Sequence, residues 1–473
     1  MSKRMRTAIH LAGFAVFAGA LAAACGGTGN ETSGQTTTTS GGAGGTSGAG
    51  ASTGASSGGD LIGTGGQCAG IKCDIPQCDG DATTTISGTV YAPEGKTPLY
   101  NVVVYVPNEP LAPITDGATC DMCGSTLSGS PIVTNLTDTK GQFVLKDVPA
   151  GKNIPLVIQV GKWRRQVTIP EVLPCQDNPL PDPEMTRLPK KSSEGDLPRI
   201  ALTTGGADPL ECLMRKIGLD DTEFSTPDGG GHVHFFHGAG GSSKFTPAIQ
   251  NGDSFPDVTS LWSFKESLMA YDIVLMACEG NQNPNEKGAG ALQAMYDYTA
   301  SGGRVFASHW NNYWLEMGPD PFPKTATYNH QADLPNPITA IVDTSFPKGQ
   351  ALADWLVNVG ASSTLGQIPI KEAQHTVDAA NPEMSQQWIY QSDYNSVQYF
   401  TFNTPIDAMP DMQCGRVVFS DIHVSSGDQI GQDFPKGCVT NEMSPQEKAL
   451  LFMLFDLSSC ILPDDTPPED PPT

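Results

Sequence analysis

Positive charge is scarce in this chain: 27 Lys and Arg stand against 51 Asp and Glu, for a formal net charge of -24 at pH 7. The acidic groups are spread along the sequence rather than gathered in a block, and no basic stripe is left to neutralise a phosphate backbone. Nucleic acid is therefore excluded as a partner. Long apolar runs are scarce too. One covers residues 8–24, and nothing after Ala24 approaches the ~20 residues needed to cross a bilayer. Bulky side chains are almost missing from residues 26–67, which are almost all Gly, Ser, Thr and Ala, with Glu31 and Asp60 as the charged residues and Leu61 and Ile62 as the larger aliphatics. Such a segment cannot bury a core, and as a flexible coil it spans roughly 35–40 Å root-mean-square. Residues 462–473, rich in Pro and acid, read as a disordered tail. Folded structure is expected over residues 68–461, a length that suits two domains or three.

What is present at the start is an export signal. Lys3, Arg4 and Arg6 precede the apolar run, and Leu21-Ala22-Ala23-Ala24-Cys25 closes it with small residues before a cysteine. This is the layout of a cleaved secretory leader over residues 1–24. It resembles the bacterial lipobox, which implies lipidation of Cys25 and a mature chain held on a membrane surface by its lipid. Ala22 departs from the more typical Leu at that position, and an ordinary leader with an incidental cysteine is the alternative. Gly26 stands where an aspartate would retain an enteric lipoprotein at the inner membrane. The expected address is thus the cell envelope at the outer membrane, with residues 25–67 as tether.

Of the 12 cysteines, Cys25 apart, Cys68, Cys73, Cys78, Cys120, Cys123 and Cys175 lie in the first half, and Cys212, Cys278, Cys414, Cys438 and Cys460 in the second. Export makes disulfides the default, with connectivity left open. Cys120-Asp121-Met122-Cys123 has zinc-knuckle spacing without a matching second pair. Cys278, ending an apolar run, is the one expected to stay unpaired.

Residues 82–170 alternate in short runs divided by turn residues: 85–91, 101–106, 142–145, 154–160 and 165–169. That spacing predicts an antiparallel β-sandwich over residues 68–185. Gly88-Thr89-Val90, Thr97-Pro98-Leu99, Val102-Val103-Val104, the Thr137-Asp138-Thr139-Lys140-Gly141-Gln142-Phe143 turn and Val148-Pro149-Ala150-Gly151 resemble the carboxypeptidase regulatory-like domain, a transthyretin-like sandwich. Residues 108–130 depart from it as an insertion. The resemblance implies a support or recognition module. Lys162-Trp163-Arg164-Arg165 is the one dense basic and aromatic patch. Trp163 and Arg165, on one face of the alternation, are candidates for gripping a glycan; the alternative is a solvated strand with its aromatic packed on a neighbour.

Residues 186–197 read as a linker, and residues 198–461 as α/β. Residues 199–206 run as a strand into a glycine turn, Asp208 and Glu211 suit a capping box, and Leu210, Leu213, Met214 and Ile217 fall at helical spacing. Buried strands recur at 271–278, 304–308 and 415–420, with helices at 291–300 and from 444 onward. The fold class is α+β multidomain: the antiparallel sandwich followed by a doubly wound, flavodoxin-like α/β domain. Residues 271–280, 301–310 and 414–423 resemble the class I glutamine amidotransferase-like superfamily, nearest its trehalose-utilisation-type branch, with His309 and His423 matching that branch's strand-end histidines. True amidotransferases attack with a cysteine at the turn after the central strand; residues 304–315 contain none, so glutaminase activity is not supported.

In an open α/β sheet the ligand crevice lies beyond the carboxyl ends of the strands. Those ends carry Thr204, Glu279, Ser308, His309, Asp421 and His423. His309, His423, Glu279 and Asp421 are the candidate catalytic groups, suited to acid/base hydrolysis or to a divalent metal; no cofactor is fixed by the pattern. Ser308 is a poor nucleophile candidate, because Phe306 and Trp310 sit where a strained elbow wants small residues. Trp310, Tyr313 and Trp314 suit stacking on a sugar or packing at the sheet edge. His232 and His234 are weak metal candidates lacking a third ligand. Two readings stand: a non-catalytic, lipid-anchored envelope protein that binds or displays, with an extracellular glycan or protein as partner, and an exported hydrolase or sugar-modifying enzyme using Glu279, His309 and His423. The missing cysteine favours the first, the convergence of polar groups the second.

Overall fold

The computed structural model describes residues 68–332, 334–424 and 427–473. The leader, Cys25 and the tether lie outside them. The sandwich comprises β1 (Thr85–Thr89), β2 (Val103–Pro107), β3 (Pro131–Leu136), β4 (Gln142–Lys146), β5 (Gly151–Val160), β6 (Trp163–Val172) and β7 (Asp177–Leu180), in two sheets ordered β4-β1-β7 and β3-β2-β5-β6. Alternation sets the faces: in β4, Phe143 and Leu145 are buried while Gln142, Val144 and Lys146 are exposed. The turn before β4 is built by side chains. Asp138 accepts from the backbone N–H of Lys140 and Gln142, and Thr137 donates to the Leu99 carbonyl while accepting from Val102 N–H. Gly141 has φ +72° and its missing Cβ would collide with the Val90 carbonyl and Pro98, so no other residue fits there without a shift. The five expected strands are present. β3 and β7 escaped the sequence because β3 is half-buried along most of its length and β7 is polar. β7 also runs parallel to β1, so the sandwich is not wholly antiparallel.

The second half contains α1 (Pro183–Thr186), β8 (Ile200–Thr203), α2 (Leu210–Lys216), β9 (Phe224–Ser225), β10 (Val233–Phe236), α3 (Thr259–Trp262), α4 (Lys265–Met269), β11 (Ile273–Met276), α5 (Ala289–Ala300), β12 (Arg304–Ser308), α6 (Tyr313–Glu316), β13 (Ala326–Tyr328), β14 (Ile338–Val342), α7 (Pro347–Asn358), β15 (Gln367–Ile370), β16 (Val377–Ala380), β17 (Gln386–Gln391), β18 (Ser396–Thr404), β19 (Gly415–Ser420) and α8 (Pro445–Ser458). A ten-stranded sheet has the order β15-β14-β17-β18-β19-β12-β11-β8-β10-β9. From β9 to β19 neighbours are parallel; from β19 to β15 they are antiparallel. Ile200, Leu202, Ile273, Leu275, Phe306 and Val418 bury one face with residues of α2, α7 and α8. Ala201, Val274, Met276, Val305, Val417 and Phe419 bury the other with residues of α3, α4, α5 and α6. Burial on both faces explains the near-continuous apolar runs of the parallel strands. The structure is thus mixed α/β with several sheets, and the antiparallel half of the large sheet is a departure from the parallel sheet expected. Among the described residues no helix is long and apolar enough to cross a membrane.

One hydrophobic cluster runs without a break from the sandwich into the α2/α7/α8 face of the large sheet. Trp163 packs edge-on against Phe455, Tyr100 stacks on Phe452, and the Trp355 indole donates to the Pro98 carbonyl. The basic patch of β6 lies at this seam. Lys162 pairs with Asp272 at 2.5 Å and Arg164 with Asp196 at 2.8 Å, while Arg165 donates to the Glu184 and Arg187 carbonyls. Trp163 is buried and Arg165 spent on backbone carbonyls, so neither is presented to a glycan as the sequence allowed. Residues 186–197 are not a loose linker either, since Arg187 clamps both Glu184 and Glu194.

Five disulfides join Cys68–Cys73, Cys78–Cys175, Cys120–Cys414, Cys123–Cys460 and Cys212–Cys438. Cys120 and Cys123 therefore make no zinc knuckle; they bolt the sandwich insertion to the α/β half. The acidic tail departs from the disorder its composition suggests. Asp464 pairs with Arg416, Asp470 accepts from Leu136 N–H at 2.6 Å, and the Pro471 carbonyl accepts from Thr134 at 2.7 Å.

Candidate functional site

Three neighbouring parallel strands, β11, β12 and β19, deliver one side chain each to a common point beyond their carboxyl ends. Cys278 follows β11, His309 follows β12, and His423 follows β19. One ligand atom from each lies within 4.8 Å of the others, and all three residues are buried. Cys278 Sγ is 3.4 Å from His309 Nδ1, and the two imidazoles stand with ring centroids 5.1 Å apart. The His309 backbone has φ 42°, in the left-handed region that a β-carbon-bearing residue seldom adopts. This sharp turn straight out of β12 is what aims His309 back over the strand ends.

The charges around the cluster are mostly committed. Asp208, after β8, accepts from the Ser308 hydroxyl at 2.6 Å and from Val424 N–H at 2.9 Å. Burial raises its carboxyl pKa, and the nearby His423 opposes that rise. Asp208 is therefore not the helix cap expected; α2 has Pro209 at its N-cap position with no side-chain cap bond, and Glu211 instead accepts from Ser242. Burial also pushes the Cys278 thiol up to about 12. It pulls His309 down to about 2, with the positive potentials of His423 and His330 adding to the effect. At neutral pH the cluster thus holds a thiol and a neutral imidazole at 3.4 Å, not a thiolate–imidazolium pair.

Of the expected catalytic groups, the structure brings His309 and His423 together. Glu279 and Asp421 turn elsewhere. Glu279 forms a buried ion pair with Lys287 at 2.5 Å and accepts from Ala239 N–H, and that ammonium sits over the rings of Trp262 and Trp314. Asp421 accepts from the Thr376 N–H at 2.8 Å and hydroxyl at 2.9 Å, fixing the segment before β16. Ser308 is spent on Asp208. Trp314 is core, packed edge-on against Trp262. Trp310 is partly exposed and tilts against His309 on one side and His330 on the other, at 4.8 and 5.2 Å between centroids. Tyr313 is partly exposed nearby at the start of α6. His232 and His234 form no common site. His232 pairs with Glu223 at 2.8 Å, while His234 is buried between the Tyr271 hydroxyl and the Gly231 carbonyl.

Sequence reasoning missed Cys278 and Asp208 as members of the site. The signal for Cys278 was present, since an unpaired cysteine in an exported, disulfide-rich chain calls for a reason; among the described residues it is the free cysteine. Two large cavities lie away from this cluster. One of about 880 Å³ is lined by the sandwich insertion, Lys162 and the C-terminal tail, and one of about 780 Å³ by Lys96, Lys216 and residues 438–443.

No protein-family model matches the chain. No curated protein matches it either. Among solved structures, a ThuA-like protein from Bacteroides uniformis is similar at 11% identity and TM-score 0.29, over 55% of this chain and 91% of that one. An exo-beta-1,4-mannosidase from Opitutaceae bacterium strain TAV5 aligns at 10% identity and TM-score 0.22, over 58% of this chain and 38% of its own. A cohesin–X-dockerin complex from Acetivibrio cellulolyticus aligns at 18% identity and TM-score 0.15, over 30% and 75%.

Proposed function

We propose that this is a lipid-anchored protein of the bacterial cell envelope, held at the outer membrane through Cys25, whose folded body binds or displays rather than turns over a substrate. On this reading the first half is a carboxypeptidase regulatory-like domain, and the second is a flavodoxin-like, amidotransferase-like domain of the trehalose-utilisation type with no cysteine at the turn in residues 304–315. An extracellular glycan or protein is the partner class. The observation that supports it is the closure of the strand ends: Cys278, His309 and His423 are 0, 5 and 7% exposed, and Glu279 is locked to Lys287. A hydrolase needs a base within reach of substrate, and the candidates here are enclosed or consumed.

The test uses the full chain purified from membranes of an expressing bacterium with mild detergent, beside His309→Gln. Both are assayed against panels of aryl glycosides, esters and amides. The expected result is hydrolysis at the blank rate for both proteins. Turnover by the parent that falls at least tenfold in His309→Gln would establish the exported hydrolase instead. Fatty-acid labelling lost in Cys25→Ser checks the anchor, and unlabelled parent chain would overturn it.

A further inference from the structure

We propose that Cys278, His309 and His423 form a binding site for one transition-metal ion of the zinc class. The three residues come from three adjacent parallel strands, and each offers one donor atom: a sulfur and two imidazole nitrogens. Around a tetrahedral zinc ion, bonds of roughly 2.0–2.3 Å set donor–donor edges of roughly 3.3–3.7 Å. The Cys278–His309 edge is already 3.4 Å. The widest separation is no more than 4.8 Å, so the third donor closes by about 1 Å, a movement within reach of a side-chain torsion.

Two further observations point the same way. His309 holds φ 42°, and the sharp turn it makes straight out of β12 sets its imidazole beside Cys278, 3.4 Å from the sulfur. Asp208, after the fourth strand, β8, is near enough to interact electrostatically with His423, and its oxygens are held by Ser308 and Val424 N–H rather than offered as donors.

Donor chemistry sets the ion. A thiolate with two imidazoles selects borderline and soft ions such as Zn²⁺ over Mg²⁺ or Ca²⁺, which prefer oxygen. Three protein donors leave the fourth tetrahedral position to a small ligand such as water. The inference stands apart from the proposed absence of turnover, because it is read by metal stoichiometry and spectra.

The test strips the full-length protein with chelator and titrates it with Co²⁺. One ion per chain is expected, with visible bands of tetrahedral intensity and a thiolate-to-cobalt charge-transfer band in the near ultraviolet. Zn²⁺ is expected to displace it and excess Mg²⁺ to leave it in place. Cys278→Ser is expected to abolish the charge-transfer band, and both it and His423→Gln to weaken Zn²⁺ binding by at least ~100-fold. Absence of a saturable one-to-one site in the parent chain would overturn the proposal. So would a Co²⁺ spectrum that persists in folded Cys278→Ser. Should that variant fail to fold, the parent spectrum still decides, because the charge-transfer band requires a thiolate ligand.

Discussion

Arg416→Met is expected to destabilise the protein by about 3–5 kcal/mol while leaving the native circular dichroism in place at low temperature. The Arg416 guanidinium is buried at the centre of a network that ties β19 to α8 and to the tail. It pairs with Asp456 at 2.8 Å and Asp464 at 2.6 Å, and donates to Asn403 at 2.9 Å. Lys348 contributes from the other side, 2.9 Å from Asp456. Methionine fills the volume but strands two buried carboxylates against one ammonium, and an unmatched buried charge costs far more than an intact pair returns. The network also predicts acid sensitivity. Burial alone would raise the Asp456 pKa, but Arg416 and Lys348 outweigh burial and hold it below its usual value. A depressed carboxyl pKa contributes stability that is present above the unfolded-state value and is lost as pH falls through the folded-state value. The parent should therefore lose more stability than Arg416→Met between neutral pH and pH 3. Urea unfolding at both pH values checks this; a loss below 1 kcal/mol at pH 7 would contradict the role given to Arg416.

The second large effect concerns the bolts between the halves. Cys120–Cys414 and Cys123–Cys460 close loops of 294 and 337 residues, the longest among the five disulfides. With one bridge intact, the other closes only the short path left between them. Loop-closure entropy then gives about 4 kcal/mol for either bridge while its neighbour remains and about 5 kcal/mol for the last one, whose loop the intact Cys212–Cys438 bridge shortens to roughly 120 residues. Removing both by Cys→Ser is therefore expected to cost more than twice the loss from removing one. The sandwich insertion, the start of β19 and the end of α8 should then exchange amide hydrogens together, because the bridges tie residues 120–123 of the insertion to Cys414 before β19 and to Cys460 after α8. Equal or smaller-than-additive losses would contradict this reading.

How much of this was legible in the sequence depends on which interaction placed each residue. Period-two alternation placed β4, and continuous apolar runs placed β8, β11, β12 and β19, because burial on one face or two writes directly into composition. The helix opening at Ser444 was legible too, and Ser444 with Glu447 forms a capping box. The antiparallel half of the sheet was not, since β14, β15 and β17 carry exposed or half-exposed Thr and Gln beside their buried residues. At the site, the rule that ligands gather beyond strand ends found the right place but not the right rotation. One residue's difference just beyond the end of β11 separates Cys278, which faces His309, from Glu279, which faces Lys287. Asp208 was hidden for another reason: its local pattern suited a helix cap, and only tertiary contact with Ser308 and Val424 reveals its other use.

Closure of the strand ends over Cys278 is the central claim, and thiol labelling tests it most directly. Metal-free, full-length protein is treated with iodoacetamide at neutral pH, and the adduct on Cys278 is quantified by peptide mass spectrometry before and after denaturation. With a thiol wholly buried and its pKa pushed up to about 12, no adduct is expected in the native chain and full modification after unfolding. Native labelling of Cys278 at the rate of an exposed thiol would show an open, reactive site, and would contradict the account.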